Sequence, residues 1–299
     1  MKTKFQFTNL QKLTAVAIVA LVFVYTIVLA VVVMRNRASA DQTATNATGI
    51  KPLETVEGLP PAPVMQSRVP DVMGPALPIY IGQTTVPVLM YHYVRDVSDP
   101  NDTVGQGLSV SPMTFDRQMK YLADNNFTST GFDTLLSNNV PSRPIVITFD
   151  DGYKDAVTNA LPVLRKYRLK AVFYIITDRI GQDSYVSADD IRQLVADGMI
   201  IGSHTRSHPD MTQASASAVD EQLTASKSAL ENIVGAPVTD FCYPSGRLND
   251  AVATAVSKAG YKTAVTTKSG VVATGSQFLR LPRMRITNDT NLDTILRAY

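Results

Sequence analysis

The sequence predicts an α/β protein in which a mostly parallel sheet with crossover helices closes, or nearly closes, into a (β/α) barrel. Three observations lead to this fold class: strand-like apolar runs of five or six residues, helix-like segments between them, and polar residues directly after several runs. Near-continuous apolar strands are typical of parallel sheets that helices cover on both faces. The predicted strands are residues 87–91, 145–149, 171–176, 199–203, 239–243 and 261–266.

The segments between the strands have helical spacing and helix start signals. Residues 155–167 place apolar side chains at helical intervals, and Pro162 among them predicts a bend or a late helix start. Ser187 and Asp190 form a capping-box pattern before the next helix. Residues 217–234 predict another helix, because their apolar side chains share one face. That face consists of Val219, Leu223, Leu230 and Val234.

Residues suited to chemistry follow three of the predicted strands. His92 follows the first strand. Asp150 and Asp151 follow the second, and His204 follows the fourth. Side chains from several strand ends converge at one end of a barrel. An open doubly wound sheet also binds ligands at its strand ends but concentrates the site at one switch point, so the pattern favours the barrel.

The composition limits the possible partners. The chain has 299 residues, 45% of them hydrophobic, which is enough to bury a substantial core. Its formal net charge of +2 lacks the basic excess that phosphate binding requires, so nucleic acid is not an expected partner. Cys242 is the only cysteine, which excludes an intramolecular disulfide. The composition does not indicate an oligomeric state.

The N-terminal region predicts a membrane anchor. Residues 13–34 carry no charge and are long enough to cross a hydrocarbon layer of about 30 Å as a helix. Residues 1–12 carry slightly more positive charge than the residues directly after the apolar run. This places the N-terminus in the cytoplasm and the rest of the chain outside. The alternative is a secreted protein whose signal peptide is cleaved near Ala40. The apolar run exceeds the ~7–15 residues of a typical signal core, which favours the retained anchor.

A linker and one folded domain are expected after the anchor. Residues 35–80 are rich in Pro, Thr and Ala and show no sustained apolar period, as in an extended tether. The folded domain is expected at 81–299. The tether would hold this domain away from the outer membrane surface.

Two short motifs carry the candidate chemistry. TFDDG, at 148–152, places two carboxylates after a buried strand, where they need a nearby cation unless they form a solvated helix-capping turn. HTRSH, at 204–208, holds two of the three histidines, which can face one metal ion or can be two surface side chains. Together the motifs predict a two-histidine, one-aspartate centre with open positions for water and substrate, as in catalytic metal sites.

TFDDG with a downstream H-[ST]-x-x-H resembles the polysaccharide deacetylases that share the NodB homology domain, carbohydrate esterase family 4. The resemblance covers about residues 143–299. It implies a distorted (β/α) barrel, complete or incomplete, and removal of acetyl groups from N-acetylated sugars in peptidoglycan, chitin or poly-N-acetylglucosamine. By position, it implies that Asp150 is the general base. It further implies that Asp151, His204 and His208 bind a divalent metal ion, for which zinc is expected.

The chain departs from the family pattern in the third motif, which usually reads Arg-x-Pro-[Tyr/Phe]. FCYPSG, at 241–246, has Cys242 at the arginine position and Ser245 at the aromatic position. The loop conformation is expected to be retained, with the Ser245 N–H as a hydrogen-bond donor to the oxyanion. Arg283 or Arg285 is expected to replace the missing arginine beside the base, and Arg283 is preferred. The chain also has no tryptophan, so one wall of the sugar groove must differ.

The general acid is the third departure. The family usually supplies it from a C-terminal Leu-x-His, but no histidine follows His208 in this chain. His92 is therefore the expected general acid, and its LMYHYV context resembles a circularly shifted subgroup with Met-Tyr-His near the domain start. The alternative is a hydrogen-bonded histidine packed against Tyr91 and Tyr93.

The expected function is therefore a metal-dependent N-deacetylase that acts on an N-acetylglucosamine-containing glycan outside the cytoplasmic membrane. One alternative is a catalytically inactive glycan-binding module that kept the fold, which the missing motif arginine would favour. The presence of all four predicted base and metal-binding residues argues against it. A hydrolase of small acetylated molecules is a further alternative, which the extracellular tether disfavours.

Overall fold

The structure is a computed structural model that describes residues 84–99, 101–137 and 139–299. The predicted anchor at 13–34 and the predicted linker at 35–80 lie outside these residues. Within the described ranges, no helix combines the length and the apolar character that a membrane crossing requires.

A parallel sheet forms the centre of the domain, and all six predicted strands are present in it with ends within two residues of the prediction. Its strands are β1 (Val88–Tyr91), β4 (Thr128–Ser129), β5 (Pro144–Phe149), β6 (Val172–Ile175), β7 (Ile200–Ser203), β8 (Asp240–Cys242), β9 (Thr263–Val265) and β10 (Met284–Arg285). The order is β10–β1–β5–β6–β7–β8–β9, with β4 beside the start of β5. The short strands β2 (Tyr93–Val94) and β3 (Ser109–Val110) form a separate parallel pair.

The sheet curls into an incomplete barrel, which confirms the predicted barrel-like α/β class. Residues 281–286 bridge its two edges. On the β9 side, the Leu281 N–H donates to the Ala264 carbonyl at 2.9 Å, and Leu281 forms a parallel bridge with Val265. On the β1 side, the Ile286 N–H donates to the Met90 carbonyl at 3.0 Å. This bridging segment therefore lies between the first and last strands of the predicted set.

Helices connect the strands, as the sequence predicts. They are α1 (Thr103–Leu108), α2 (Pro112–Asp124), α3 (Phe132–Leu136), α4 (Leu161–Tyr167), α5 (Ala188–Ala196), α6 (Ala216–Val234), α7 (Asp250–Lys258) and α8 (Leu292–Leu296). Pro162 lies in the first turn of α4, where its missing N–H needs no intrahelical partner, and a π-helical turn (Ala156–Ala160) precedes it. The capping box before α5 is also present, because the Ser187 and Asp190 side chains each accept from the other residue's backbone N–H.

Side-chain alternation along β5 decides which residues face the barrel interior. Ile145 and Ile147 belong to the large apolar cluster that includes the helices, whereas Val146 belongs to a smaller cluster with Tyr174 and Cys242. Because successive strand side chains point to opposite faces, every second residue after Val146 continues along the inner face. The polar residues at the end of β5 therefore enter the barrel rather than the helical layer.

Candidate active site

The predicted site residues lie at one end of the sheet, where the parallel strands terminate. The backbone ladder extends slightly beyond the strands and holds two of them in place. The Asp150 N–H donates to the Tyr91 carbonyl at 3.0 Å, and the His204 N–H donates to the Ile175 carbonyl at 2.9 Å. The backbone N–H groups of both residues are therefore satisfied by the neighbouring strand.

A sharp turn separates the two adjacent carboxylates. Asp151 has φ 70° and Gly152 has φ 77°, and the Gly152 N–H donates to the Asp150 carbonyl at 2.9 Å. A left-handed conformation is uncommon for a residue other than glycine, although Asp tolerates it better than most residues. The turn lets Asp150 point into the barrel while Asp151 faces the histidines.

Asp150 is almost fully buried and is paired with Arg283. The Arg283 guanidinium donates from Nη1 to Asp150 Oδ1 and from Nη2 to Asp150 Oδ2, both at 2.7 Å. Burial by itself would raise the pKa of the Asp150 carboxyl. The charge and hydrogen bonds of Arg283 outweigh that effect, and they hold this pKa well below its usual range. The carboxylate is therefore ionised at neutral pH.

Further contacts fix the Arg283 side chain, which is completely buried. Its Nε donates to the Thr266 carbonyl at 2.8 Å, its Nη1 donates to Thr148 Oγ1 at 3.0 Å, and its Nη2 lies 3.3 Å from Cys242 Sγ. Arg285 is exposed instead. Of the two arginines that the sequence left open, Arg283 is the one that contacts Asp150.

Asp151, His204 and His208 form a cluster whose donor atoms all lie within 4.8 Å of one another. Asp151 Oδ1 lies 3.3 Å from His204 Nε2 and 3.8 Å from His208 Nε2. The His204 Nδ1 is hydrogen-bonded to the Cys242 carbonyl at 2.8 Å, which orients the ring and leaves Nε2 toward Asp151. One carboxylate oxygen and two imidazole nitrogens at this spacing fit a divalent cation with nitrogen and oxygen ligands.

The pKa values of the two cluster histidines shift in opposite directions. Burial by itself would lower the pKa of His204, but the Cys242 side chain and Asp151 outweigh it and raise this pKa well above its ordinary value. Burial and the neighbouring His204 lower the pKa of His208. A proton on His204 and a cation in the cluster would compete for the same Nε2, because a metal ligand must be the neutral imidazole.

His92 lies beside Asp150, with 3.8 Å between His92 Nε2 and Asp150 Oδ2. Burial lowers its pKa, although the Asp150 and Asp151 charges oppose this. Its Nδ1 is buried and has no hydrogen-bond partner among the described residues. The imidazole is thus close to the predicted base but is not oriented by a second side chain.

Ser245 is the predicted site residue for which the structure gives no contact with the others. It has φ 53° within the short turn Pro244–Gly246, and its side chain is exposed. Gly246 is required there, because a Cβ at that position would lie 2.1 Å from Thr267 Oγ1. Within the described part of the chain, the Ser245 N–H has no backbone acceptor.

Three supporting residues were not singled out as such from the sequence: Thr148, Thr266 and the Cys242 thiol, all in contact with Arg283. A local signal exists for Thr148, because it lies two residues before Asp150 and shares its face of the strand. No local signal identifies Thr266, since its contact depends on where residues 281–286 cross the barrel.

Comparison with known proteins agrees with this fold. Residues 137–264 match the family described as Polysaccharide deacetylase. YxkH of Bacillus subtilis (strain 168) is 31% identical over 206 residues, which cover 67% of this chain and 71% of that protein. The poly-beta-1,6-N-acetyl-D-glucosamine N-deacetylase of Staphylococcus aureus (strain MRSA252) is 24% identical over 227 residues, covering 67% of this chain and 78% of that protein.

Solved structures are similar over most of the described domain. The Streptococcus pyogenes deacetylase PplD in complex with acetate has a TM-score of 0.68 and 30% identity, covering 72% of this chain and 98% of that chain. BC0361, a polysaccharide deacetylase from Bacillus cereus, has a TM-score of 0.66 and 34% identity, covering 72% and 69%. This chain therefore belongs to the polysaccharide deacetylase family.

Proposed function

We propose that the protein is a metal-dependent hydrolase that removes N-acetyl groups from N-acetylglucosamine-type residues of a cell-surface or cell-wall polysaccharide. The observation that carries this proposal is that two groups of residues lie side by side. One is Asp150 paired with Arg283, and the other is the Asp151–His204–His208 cluster. Family membership supports deacetylation of a polysaccharide. The Staphylococcus aureus relative, named for poly-beta-1,6-N-acetyl-D-glucosamine, supports a hexosamine polymer.

Asp151, His204 and His208 would hold the divalent cation, for which we propose zinc because the donor set is one carboxylate and two imidazoles. When bound, such a cation polarises a carbonyl and lowers the pKa of water. Three protein ligands leave positions open, as catalytic zinc sites do. The hydrogen bond from His204 to the Cys242 carbonyl would keep its ring in the ligating orientation.

Asp150 is the proposed general base, which takes a proton from the water that attacks the carbonyl carbon of the acetamide group. Its carboxylate is ionised at neutral pH and lies next to the cluster in sequence and in space. Arg283 holds both oxygens, so the carboxylate cannot rotate freely between alternative orientations. The positioned base is expected to contribute roughly a hundred- to ten-thousand-fold in rate.

His92 is the proposed general acid. Breaking the C–N bond of the tetrahedral intermediate releases the sugar nitrogen, which must gain a proton to leave as a neutral amine, while the acetyl carbon leaves as acetate. The His92 Nε2 lies 3.8 Å from Asp150 Oδ2, so a proton accepted by the base is within short reach of the imidazole. The Ser245 N–H is the proposed donor to the oxyanion.

The N-terminal segment leads to a proposed location. Residues 13–34 would anchor the protein in the cytoplasmic membrane by a single helix, with the domain outside; cleavage near Ala40 would instead release it. We further propose that the chain belongs to the circularly shifted subgroup. The position of His92 after the first described strand, near Asp150, supports this.

The test is acetate release by a soluble fragment of residues 80–299, supplied with divalent metals and with acetylated glucosamine oligomers. Substrates of the peptidoglycan, chitin and poly-N-acetylglucosamine types are compared in parallel. Acetate release from any of them supports the proposal. Glycan binding without acetate release from all three would instead identify an inactive binding module.

A further inference from the structure

Three tyrosines from three neighbouring strand ends stack in a row beside the proposed site. Tyr93 follows His92 after β1, Tyr153 follows Gly152 after β5, and Tyr185 lies in the connection after β6. β1, β5 and β6 are adjacent in the sheet. The row therefore runs along the same end of the barrel at which the catalytic residues lie.

Ring distances define the row. The ring centroids of Tyr93 and Tyr153 are 3.9 Å apart with an interplanar angle of 28°, and those of Tyr153 and Tyr185 are 5.1 Å apart at 32°. Arg95 stacks on Tyr93 at 3.6 Å, and Arg179 lies 5.6 Å from the Tyr185 ring centre. The aromatic row thus has a guanidinium at each end, as cation–π contacts favour.

Backbone hydrogen bonds hold the outer part of the row. The Lys154 N–H donates to the Ser184 carbonyl at 2.8 Å, and the Val186 N–H donates to the Gly152 carbonyl at 3.0 Å. These bonds form an antiparallel bridge between Tyr153 and Tyr185. The two rings are therefore ordered before any ligand binds, which reduces the entropy that binding would cost.

The exposed part of the row has the character of a sugar-binding surface. All three tyrosines are half-buried. Because neighbouring rings and guanidinium groups cover much of the ring faces, the ring edges contribute to the remaining surface. Tyrosine combines an apolar body with a hydroxyl that can donate and accept. A sugar ring likewise presents C–H groups beside hydroxyls, so the two surfaces are chemically matched.

A polar cavity of about 290 Å³ continues the row beyond Arg95. Ser109 lines it and pairs with Tyr93 in the β2–β3 register, so the cavity adjoins the row directly. The Ser109 hydroxyl is buried and has no hydrogen-bond partner among the described residues. Across the cavity, Ser111 and Asn288 are joined by a 3.1 Å hydrogen bond. A buried hydroxyl without a partner favours a polar ligand at this position.

We propose that Tyr93, Tyr153 and Tyr185, with the cavity beside Arg95, form an extended glycan subsite that binds sugar residues next to the one that reacts. The row is longer than one sugar ring and lies along the site rather than within it. The substrate is then an oligomer or polymer, deacetylated at residues that have bound neighbours. This proposal rests on the proposed deacetylase function.

Tyr185 is the residue to test, because it is the tyrosine farthest along the row from His92. The full-length chain in detergent is assayed as wild type, Tyr185→Phe and Tyr185→Ala. Tyr167→Ala is the matched control: Tyr167 is also half-buried beside a cation, but it lies at the end of α4, before β6, and so at the opposite end of the barrel. Substrates are the N-acetylglucosamine disaccharide and hexasaccharide and the small ester 4-nitrophenyl acetate.

Tyr185→Ala is expected to lower kcat/KM for the hexasaccharide about tenfold, the change that corresponds to ~1.4 kcal/mol of lost contact. The loss should appear in KM, with ester hydrolysis unchanged within about twofold. Tyr185→Phe should lie between wild type and Tyr185→Ala, and Tyr167→Ala should match wild type in its length preference. Equal losses on hexasaccharide and ester, or no loss on either, would overturn the subsite.

A binding measurement separates failure of the subsite from failure of the proposed function. Calorimetry of the hexasaccharide is carried out with Asp150→Asn protein, with and without Tyr185→Ala, so that no turnover is needed. About tenfold weaker binding in the double variant supports the subsite even where wild type releases no acetate. Equal affinity in the two proteins contradicts it even where wild type is an active deacetylase.

Discussion

Arg283 and Asp150 are joined by two parallel 2.7 Å hydrogen bonds, although 133 positions separate them in the chain. Cys242 occupies the position at which the family motif has an arginine, and its thiol lies 3.3 Å from Arg283 Nη2. A guanidinium is therefore present beside the proposed base, but it comes from the segment before β10 instead of the end of β8. The missing motif arginine consequently does not argue for an inactive site.

Replacing Asp150 with Asn should abolish most turnover without removing the metal. The amide cannot accept the proton of the attacking water, so we expect kcat/KM to fall roughly a hundred- to ten-thousand-fold. Metal content, measured by elemental analysis, should remain at the wild-type ratio because Asp150 is not a proposed ligand. Loss of both metal and activity would move Asp150 into the ligand set.

Replacing Arg283 with Ala should destabilise the fold, because it leaves the buried Asp150 carboxylate unpaired. Removing one partner of a buried ion pair costs about 3–5 kcal/mol of unfolding free energy. Arg283→Lys keeps the charge but not the two parallel bonds, so a smaller loss is expected. The control is Arg285→Ala, which is exposed and should change stability by less than about 0.5 kcal/mol. Urea unfolding measures all three, and equal effects of Arg283→Ala and Arg285→Ala would contradict the role of the pair.

Removal of the metal should abolish activity reversibly. We expect a chelator to stop acetate release and a divalent ion, zinc first, to restore it. His204→Ala should lose most bound metal because it removes one of three proposed ligands, whereas His92→Ala should retain it. Elemental analysis of both variants makes the comparison, and a His204→Ala protein with full metal content would exclude the proposed ligand set.

Replacing His92 with Gln should affect amide substrates more than activated esters. A sugar amine leaves poorly without a proton, so roughly a hundredfold or greater loss of kcat is expected on acetylated glucosamine oligomers. The 4-nitrophenolate of 4-nitrophenyl acetate leaves without protonation, so its hydrolysis should change little. Parallel losses on both substrates would indicate that His92 acts at another step.

The stability of the fold should depend on pH through Asp240, which is buried at the start of β8. Burial raises the pKa of its carboxyl to about 6, and a hydrogen bond from Thr263 opposes this only in part. In the unfolded chain an aspartate titrates near pH ~3.9, so between that pH and 6 the folded state binds more protons than the unfolded state. The stability that protonated Asp240 contributes is complete below pH ~4 and is lost as the pH rises through 6.

Asp240→Asn should therefore raise the free energy of unfolding relative to wild type at pH 8, by about 2–3 kcal/mol. The difference should shrink toward zero near pH 4. Chemical unfolding at pH 4, 6 and 8 measures it, and Asp220→Asn, at an exposed aspartate, serves as the control. A difference that does not vary with pH would contradict the buried-carboxylate explanation.

Much of the fold could be predicted because its signals are local. The apolar runs located all six predicted strands, and the capping pattern at Ser187 and Asp190 located the start of α5. The short strands β2, β3, β4 and β10 were not predicted. Each has only two residues, too few for an alternation of apolar and polar side chains to be recognised.

The sequence by itself determined the parallel sheet, the end of it that carries polar residues, and the grouping of Asp150 and Asp151 with His204 and His208. Motif spacing and strand ends are local features, which a single chain displays. Only the tertiary structure decided that Arg283 and not Arg285 contacts Asp150, that His92 lies 3.8 Å from the same carboxylate, and that three tyrosines stack in a row. Those contacts depend on how far the sheet curls and where residues 281–286 bridge its edges, and no local pattern encodes that geometry.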